Sequence, residues 1–539
     1  MISGRPVSRK AGDDVCFELA RKWRTTCLEN HRESCLRTIN PIFPTRIIDV
    51  GPVDGSCEPR LWITKLEEGN WVALSHCWGK GPQFMTTLHN IADRKRAIPF
   101  KDMPQTFQDA IITTRKMGYQ FLWIDSLCIV QDDHDDWVAE SIRMGDYYKH
   151  AILTISADSA PEDHVGFLNQ DREDYLSTVV KVAPNYEVGI RKMYPCANFR
   201  NRDTWVSKRA WTLQEFVLSP RTLHYTAEQI IWECQTRKYC ESSDNSQGDS
   251  DAAQYGCMKR FFAKPSVGKE IFPDLQKFFD PSYRWYSLVS DYFQRDLTFR
   301  SDILAAISGL AKEIQRQTSH TYSVGIWLEA IEVGLLWQVD GAKKKSETYC
   351  GPSWSWVSVE TVPEAMGPEN PLYQAVLFLQ PEFKECRARL ISHNIVLNDN
   401  NPFGSVSFGS LFLHGKYLLA SQWKGTCLPY CNSYEGLTIS YFFSEGEMMP
   451  ESLDQLIYNF DLPEEDIMLE NSLADLIIFQ ISTWKWRRQE NPIVVTLALL
   501  LLPVKGKPAD TYQRVGIAEV PNTNCLESDG WGVKEICTI

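Results

Sequence analysis

Apolar and polar positions change period several times along the first 240 residues, and each change predicts an element. VCFELARKWRTTCLENH, from Val15, is charged and helical in character, and Pro41 and Pro44 stop any helix after it. RIIDV from Arg46, RLWITKL from Arg60 and WVALSHCWG from Trp71 alternate like strands, the last running into a Gly-rich turn at Gly79 to Pro82. Between Gln105 and Met117 the apolar positions Phe107, Ala110, Ile111, Thr114 and Met117 recur at three and four residues, which predicts an amphipathic helix ended by Gly118. FLWID, ending at Asp125, reads as a short buried strand. Asp135 and Asp136 then place negative charge at the start of a second helix, with Trp137, Met144, Tyr147 and Tyr148 as its apolar face. AILTISA, from Ala151, is a further buried strand. Strand and helix alternating at this spacing predict parallel βαβ units, so the expected fold class is α/β with a Rossmann-like parallel sheet, whose ligand crevice lies beyond the carboxyl ends of the strands. Ser75 to Trp78, Asp125 to Cys128 and the loop after Ser156 all fall at such ends.

The rest of the chain has a different texture. Residues 161 to about 200 are polar and irregular and read as an insertion before Trp205. Glu241 to Ala253 falls to Ser, Asp, Asn, Gln and Gly, which cannot bury a core. Tyr283 to Ala311 looks helical, with Asp302 as a cap. Strands are expected near 392–422 and 493–520, in a mixed α+β or β-rich module. The expected organisation is an N-terminal helical segment over 1–45, a main domain over 46–240, a linker over 241–280 and a C-terminal module over 281–539. PSWSW, with Trp354 and Trp356 at alternate positions, reads as one face of a core strand, the other reading being a ligand-stacking surface.

Composition narrows the function classes. The chain of 539 residues is 43% hydrophobic and 12% aromatic, enough for more than one core. Its formal net charge of −13 and the lack of a dense Lys/Arg stripe exclude a phosphate-gripping nucleic-acid binder. The first residues carry no apolar core of signal-peptide length, and PIVVTLALLLLPV (492–504) is shorter than the ~20 residues of a spanning helix and is bounded by prolines, so it reads as a buried strand. A cytoplasmic chain without a membrane span is expected. Its 16 cysteines then read as reduced thiols, many of them buried. The closest pair, Cys427 and Cys431, has no second pair and no nearby His, so no metal site and no bound cofactor are expected.

Candidate chemistry gathers at the strand ends. His76 and Cys77 suggest a base and a nucleophile, but neighbours on a strand point to opposite faces, so a dyad requires Cys77 or Cys128 to meet His76 or His134 across strands. The alternative is that these are buried structural thiols. Asp125 is placed for a general base or for a ribose or metal contact, against a loop cap. Gln131, Asp132, Asp133, Asp135 and Asp136 lack the Gly and terminal Glu of an EF-hand and read as a solvated helix N-terminus. No GxGxxG or GxxxxGK[ST] string accompanies Gly79, Gly81 and Pro82.

The ordered strings ALSHCWG, MPQTFQDAI, LWIDSLCIVQDD and RAWTLQE resemble the fungal heterokaryon incompatibility (HET) domain family over roughly Trp71 to Glu233, with RDLTFRSDILAAISGLA, GIWLEAI and PSWSWVSV as further likenesses downstream. The resemblance implies an intracellular fungal protein of nonself recognition and programmed cell death, working through self-association and a protein partner. Members of the family also stand in secondary-metabolite settings, which keeps a small-metabolite enzyme as the alternative, with a non-catalytic scaffold as a third. HET domains are in turn remotely similar to Toll/interleukin receptor (TIR) domains, and RAWTLQE resembles the TIR stretch whose glutamate cleaves NAD. By that likeness Glu215 is the catalytic candidate, NAD is a candidate substrate, Trp211 is a candidate stacking residue, and Ser75, His76, Cys77, Trp78, Asp125, Cys128 and Gln131 frame the crevice. The competing reading pairs Glu215 with Arg209 or Arg221 as a structural ion pair.

Overall fold

The alternation of strands and helices expected over the first 240 residues is present. In order along the chain come α1 (Asp14–Asn30), β1 (Arg46–Asp49), β2 (Arg60–Ile63), β3 (Val72–Ser75), α2 (Ile91–Arg96), α3 (Gln105–Lys116), β4 (Phe121–Trp123), α4 (Asp125–Cys128) and α5 (His134–His150). They are followed by β5 (Leu153–Ser156), β6 (Thr178–Ala183), β7 (Tyr186–Ile190), α6 (Thr212–Leu218), β8 (Arg221–Tyr225), β9 (Ile230–Cys234) and β10 (Lys238–Cys240). Gly118, at φ +82°, ends the α3 segment as its position predicts. The Asp133 carboxylate accepts from the N–H groups of Asp135 and Asp136 to cap α5, and Asp136 pairs with the buried Arg46 at 2.5 Å. The acidic run is therefore a helix N-terminus and not a cation loop.

This computed structural model describes residues 5–31, 35, 40–176, 178–183, 186–190, 204–243, 259, 262, 281–339, 343–361, 376–378, 385–422, 426–429, 455–461, 475–486, 493–521 and 531–539. They fall into two units, one of Met1–Asp280, Arg295–Leu297 and Ala305–Glu313, the other of Pro281–Gln294, Thr298–Leu304 and Ile314–Ile539. Most of the expected linker over 241–280 and much of the polar insertion before Trp205 lie outside the described residues.

In the first unit eight strands form one sheet in the order β10-β9-β8-β5-β3-β4-β1-β2. β3 runs parallel to β4 and β5, and β5 parallel to β8, while β1–β2, β1–β4, β8–β9 and β9–β10 are antiparallel. The sheet is thus mixed, with a parallel centre, where a parallel sheet was expected. The reason lies in the connections: a turn as short as residues 226–229 between β8 and β9 cannot carry the crossover of about a dozen residues that a parallel neighbour needs. Every residue of β3, β5 and β8 is buried, and in β8 the buried set includes Arg221, Thr222 and His224. Along the parallel centre the strands stand second, first, third, fourth. The order reverses between β3 and β5, which opens a crevice at their carboxyl ends.

The second unit holds a nine-stranded, mainly antiparallel sheet. PIVVTLALLLLPV supplies its strand Ile493–Pro503, paired on both sides with Ile477–Trp486 and Thr511–Pro521, and among the described residues no helix is long and apolar enough to cross a membrane. Trp354 and Trp356 are fully buried but sit at a 3-10 turn, Trp356–Ser358, not on a strand; the indole of Trp356 donates to the Gly325 carbonyl at 3.0 Å. Arg514, buried, pairs with Asp461 at 2.9 Å and lies 3.6 Å from the Trp337 ring centre. The expected long helix from Tyr283 is two helices, Pro281–Tyr292 and Ser308–Thr318, and Asp302 lies in a 3-10 turn between them. Nine described cysteines are free thiols, as expected, whereas Cys240 is disulfide-bonded.

One fully buried carboxylate positions the loop that follows β5. Asp109, on α3, accepts from the backbone N–H groups of Phe167 and Leu168 at 2.7 and 2.9 Å and from the Gln105 amide at 2.8 Å. Thr106 adds its N–H to the Asp163 carbonyl at 2.9 Å and accepts the Gly166 N–H at 3.2 Å. This explains the polar positions of the MPQTFQDAI string. Asp109→Ala leaves two buried N–H groups unpaired, each costing about 1–3 kcal/mol, so urea denaturation is expected to show a loss of about 3 kcal/mol for the first unit. An unchanged midpoint would show that the loop is held by other contacts.

Candidate functional site

The crevice is built from three chain segments. β3 ends at Ser75, and the chain leaves it through His76, Cys77 and Trp78 into the turn at Gly79, where φ is +82° and a Cβ would stand 2.4 Å from Glu162 Cβ, so glycine is required. β4 ends one residue before Ile124, and Asp125 opens α4 with its carboxylate accepting the Ser126 N–H at 2.7 Å. α6 brings Glu215, only 3% exposed.

These segments meet around an imidazole. His76 Nδ1 lies 3.8 Å from Asp125 Oδ1, and its Nε2 lies 3.3 Å from Asp163 Oδ1 on the loop held by Asp109. The Trp78 indole donates to Asp125 Oδ2 at 3.0 Å, and the Gln131 amide donates to the Asp125 carbonyl at 3.2 Å. Arg209 donates to the His76 carbonyl, and Tyr148 donates to the Leu74 carbonyl at 2.8 Å. Asp125, Trp78, Gln131 and Arg209 are half-buried, whereas Ser75, His76 and Glu215 are buried. The half-buried residues form the solvent edge of the site.

Burial dominates the electrostatics. It pushes the Glu215 carboxyl up to about 7, with the charge of Asp125 acting in the same direction, while Ser75, Arg209 and Tyr148 pull it down. The Asp163 carboxyl is pushed up to about 8 by burial and by Asp125. His76 is held down at about 4, by burial first, with Arg209 adding and Asp125 opposing. Near neutrality, then, the His76–Asp163 contact joins a neutral imidazole to a protonated carboxyl and is not an ion pair. Glu215 is left close to half-ionised, the condition a general acid or base needs.

Beside this cluster lies a small cavity with room for about one water. Six hydroxyl residues, Ser75, Thr154, Ser156, Ser207, Thr212 and Thr222, line it together with the apolar Val206 and Phe216. It sits where the strand order reverses, between the ends of β3 and β5.

Of the residues singled out in the sequence, Ser75, His76, Trp78, Asp125, Gln131 and Glu215 come together. The two thiols do not join them as nucleophiles: burial pushes Cys77 up to about 11 and Cys128 up to about 12, and the groups that face the His76 ring nitrogens are the carboxyls of Asp125 and Asp163. Trp211 packs edge-on against Trp137, with ring centres 6.3 Å apart, as part of the core's margin. Arg209 reaches the site through the His76 carbonyl, but Arg221 is elsewhere, against Cys27 and Cys35. Sequence reasoning missed Asp163, Tyr148 and a second buried relay in which Asp158 accepts from Ser156 and Thr204 at 3.0 Å each and meets His224 Nδ1 at 2.7 Å. The signal for the two aspartates was their place in the loop directly after AILTISA.

The raised Asp163 carboxyl makes a signed prediction. The folded chain keeps a proton that the unfolded chain loses near pH 4, so this group's contribution to stability is complete below that pH and declines as pH rises toward about 8. His76 acts in the opposite sense between about 4 and 6.5. Asp163→Asn removes only the first effect. Relative to wild type its unfolding free energy is expected to rise by about 4 kcal/mol from pH 4 to pH 8, measured by denaturant titration at each pH. Parallel profiles would show that Asp163 ionises freely in the fold.

The geometry coincides with a family boundary. Residues 71–215 match the family model described as Heterokaryon incompatibility protein (HET), a stretch that begins at β3 and ends on Glu215. The chain is also similar to heterokaryon incompatibility protein 6, OR allele, of Neurospora crassa, at 24% identity over 200 residues, 30% of this chain and 29% of the relative. The similarity thus spans under a third of that relative's length. No solved structure matches the chain. The segment that builds the crevice, from the first parallel strand to the helix bearing the buried carboxyl, is the part that matches, and over residues 71–215 this chain is similar to the heterokaryon incompatibility (HET) family.

Proposed function

We propose that the chain is an effector of fungal heterokaryon incompatibility and cell death whose HET domain cleaves the N-glycosidic bond of NAD. The observation that carries this reading is Glu215, a buried carboxyl pushed up to about 7 beside Asp125 at the reversal point of the strand order. The second-first-third-fourth order is that of flavodoxin-type doubly wound sheets, and it supports the likeness to TIR domains.

In the reaction, the bond between ribose C1′ and nicotinamide nitrogen breaks with its electron pair leaving on nicotinamide. Water then adds to the ribosyl cation and gives up a proton, so that NAD and water become ADP-ribose, nicotinamide and a proton. Ionised Glu215 stabilises the cation and accepts the water's proton, as carboxylates do in glycoside cleavage. Asp125, held by the Trp78 indole at the solvent edge, is the residue to receive ribose hydroxyls. Ser75 tunes Glu215 by hydrogen bonding. In this reading the chain acts in the cytoplasm after HET domains of separate copies associate.

Purified chain incubated with NAD is expected to release nicotinamide, and Glu215→Gln to lower the rate by about 100-fold or more with an unchanged melting temperature. Expression in a fungal host is expected to arrest growth for wild type and not for Glu215→Gln. Equal nicotinamide release by both proteins would remove Glu215 from the chemistry, and the absence of growth arrest with wild type would overturn the effector reading.

A further inference from the structure

We propose that Cys27, His31, Cys35 and Cys234 form a structural zinc site that fastens helix α1 to the β9–β10 edge of the first unit's sheet. The spacing Cys-x3-His-x3-Cys starts in the last turn of α1 and continues past its end. The His31 N–H donates to the Cys27 carbonyl at 3.2 Å, and the Cys35 N–H donates to the His31 carbonyl at 2.7 Å. A separation of four residues sets Cys27 and His31 on one face of the helix. Cys234 arrives from the end of β9, more than a hundred residues further along the chain, in the tight turn to β10. There its N–H donates to the Arg237 carbonyl at 2.9 Å, and the Arg237 N–H donates back to Cys234 Sγ at 3.3 Å.

The donor atoms fit one tetrahedral ion. The three sulfurs and the imidazole nitrogen all lie within 4.8 Å of one another, and His31 Nδ1 is 3.6 Å from Cys234 Sγ. Zn–S and Zn–N bonds of about 2.3 and about 2.0 Å at a tetrahedral angle place sulfur and nitrogen about 3.5 Å apart. The three thiols are free and buried. A disulfide would join two of the sulfurs and leave the third facing the imidazole, whereas one ion uses all four donors.

A buried cation completes the charge balance. Arg221 is 1% exposed; its Nε lies 3.3 Å from Cys27 Sγ and its Nη2 donates to the Cys35 carbonyl at 3.2 Å. Three thiolates, a neutral imidazole and Zn²⁺ sum to one negative charge, which the guanidinium neutralises. Binding exchanges three thiol protons for the ion and releases them to solvent. Soft sulfur donors with one imidazole favour zinc over calcium, magnesium or manganese. With all four positions supplied by protein there is no open site for substrate, so the ion's role is structural. This inference stands apart from the reaction proposed for the HET domain.

The test is metal analysis of the full chain purified from zinc-supplemented culture without chelator. About one zinc per chain is expected, retained by Cys57→Ser, an exposed control, and lost by Cys27→Ser and by Cys234→Ser. Zinc-edge X-ray absorption of the wild-type chain provides a second arm that does not depend on the folding of any variant, with three sulfurs at about 2.3 Å and one nitrogen at about 2.0 Å expected. A chain purified without zinc, an oxygen-dominated shell, or a disulfide among cysteines 27, 35 and 234 by peptide mapping would each overturn the site.

Discussion

The parallel pairing of β3 with β5 brings Ser75 opposite Ser156 at the ends of two fully buried strands, and the rest of the site is arranged around that pairing. Because the strand order reverses between these two strands, their connections leave in opposite directions and the sheet cannot close over the gap. Hydroxyl side chains, with Val206 and Phe216, line it instead, around room for about one water. Asp125 follows because β4 pairs with the other edge of β3, and α6 then lays Glu215 against the end of β3. The loop after β5 returns to the same place because Asp109 holds its backbone, which brings Asp163 to His76.

This arrangement concentrates acids where water is scarce. Asp163 and Glu215 are both raised by burial and by Asp125, and one imidazole and one guanidinium stand among them. A charged carboxylate in such a place costs more than a neutral one, so the cluster holds protons near neutrality that exposed acids would have lost. The reserve of protonated and half-protonated groups at one crevice is the property that separates this site from a network of structural ion pairs such as Arg46–Asp136 or Arg514–Asp461.

The secondary structure around the crevice was legible because its signals are local. Period, caps and Gly118 located α3, Asp133 to Asp136 located the start of α5, and the apolar runs located β3, β4 and β5. The strand ends were legible for the same reason, whereas Glu215 was named only through the family resemblance and stands beside Ser75 and Asp125 through the fold. What was not legible depends on chain segments meeting in space. Asp163 becomes a partner of His76 only through Asp109, 54 positions earlier in the numbering, and the tryptophans of PSWSW are buried by a turn where alternation suggested a strand. The four metal ligands show both sides of this limit. Cys-x3-His-x3-Cys is visible in the sequence, but its fourth member, Cys234, is joined to it by the sheet alone. Zinc there ties α1 to β9, and β9 pairs with β8, which pairs with β5, so the clamp steadies the same strands that carry the crevice.

Glu215 is a buried carboxyl poised near neutrality, and infrared difference spectroscopy of its protonated C=O band reads that directly. Spectra of wild type and Glu215→Gln, recorded in deuterated buffer across pH 5 to 9, isolate the one group. A band present in wild type, absent from the variant and disappearing with a midpoint near 7 is expected. A wild-type spectrum with no such band above pH 5 would contradict it, because Glu215 would then be an ordinary ionised carboxylate.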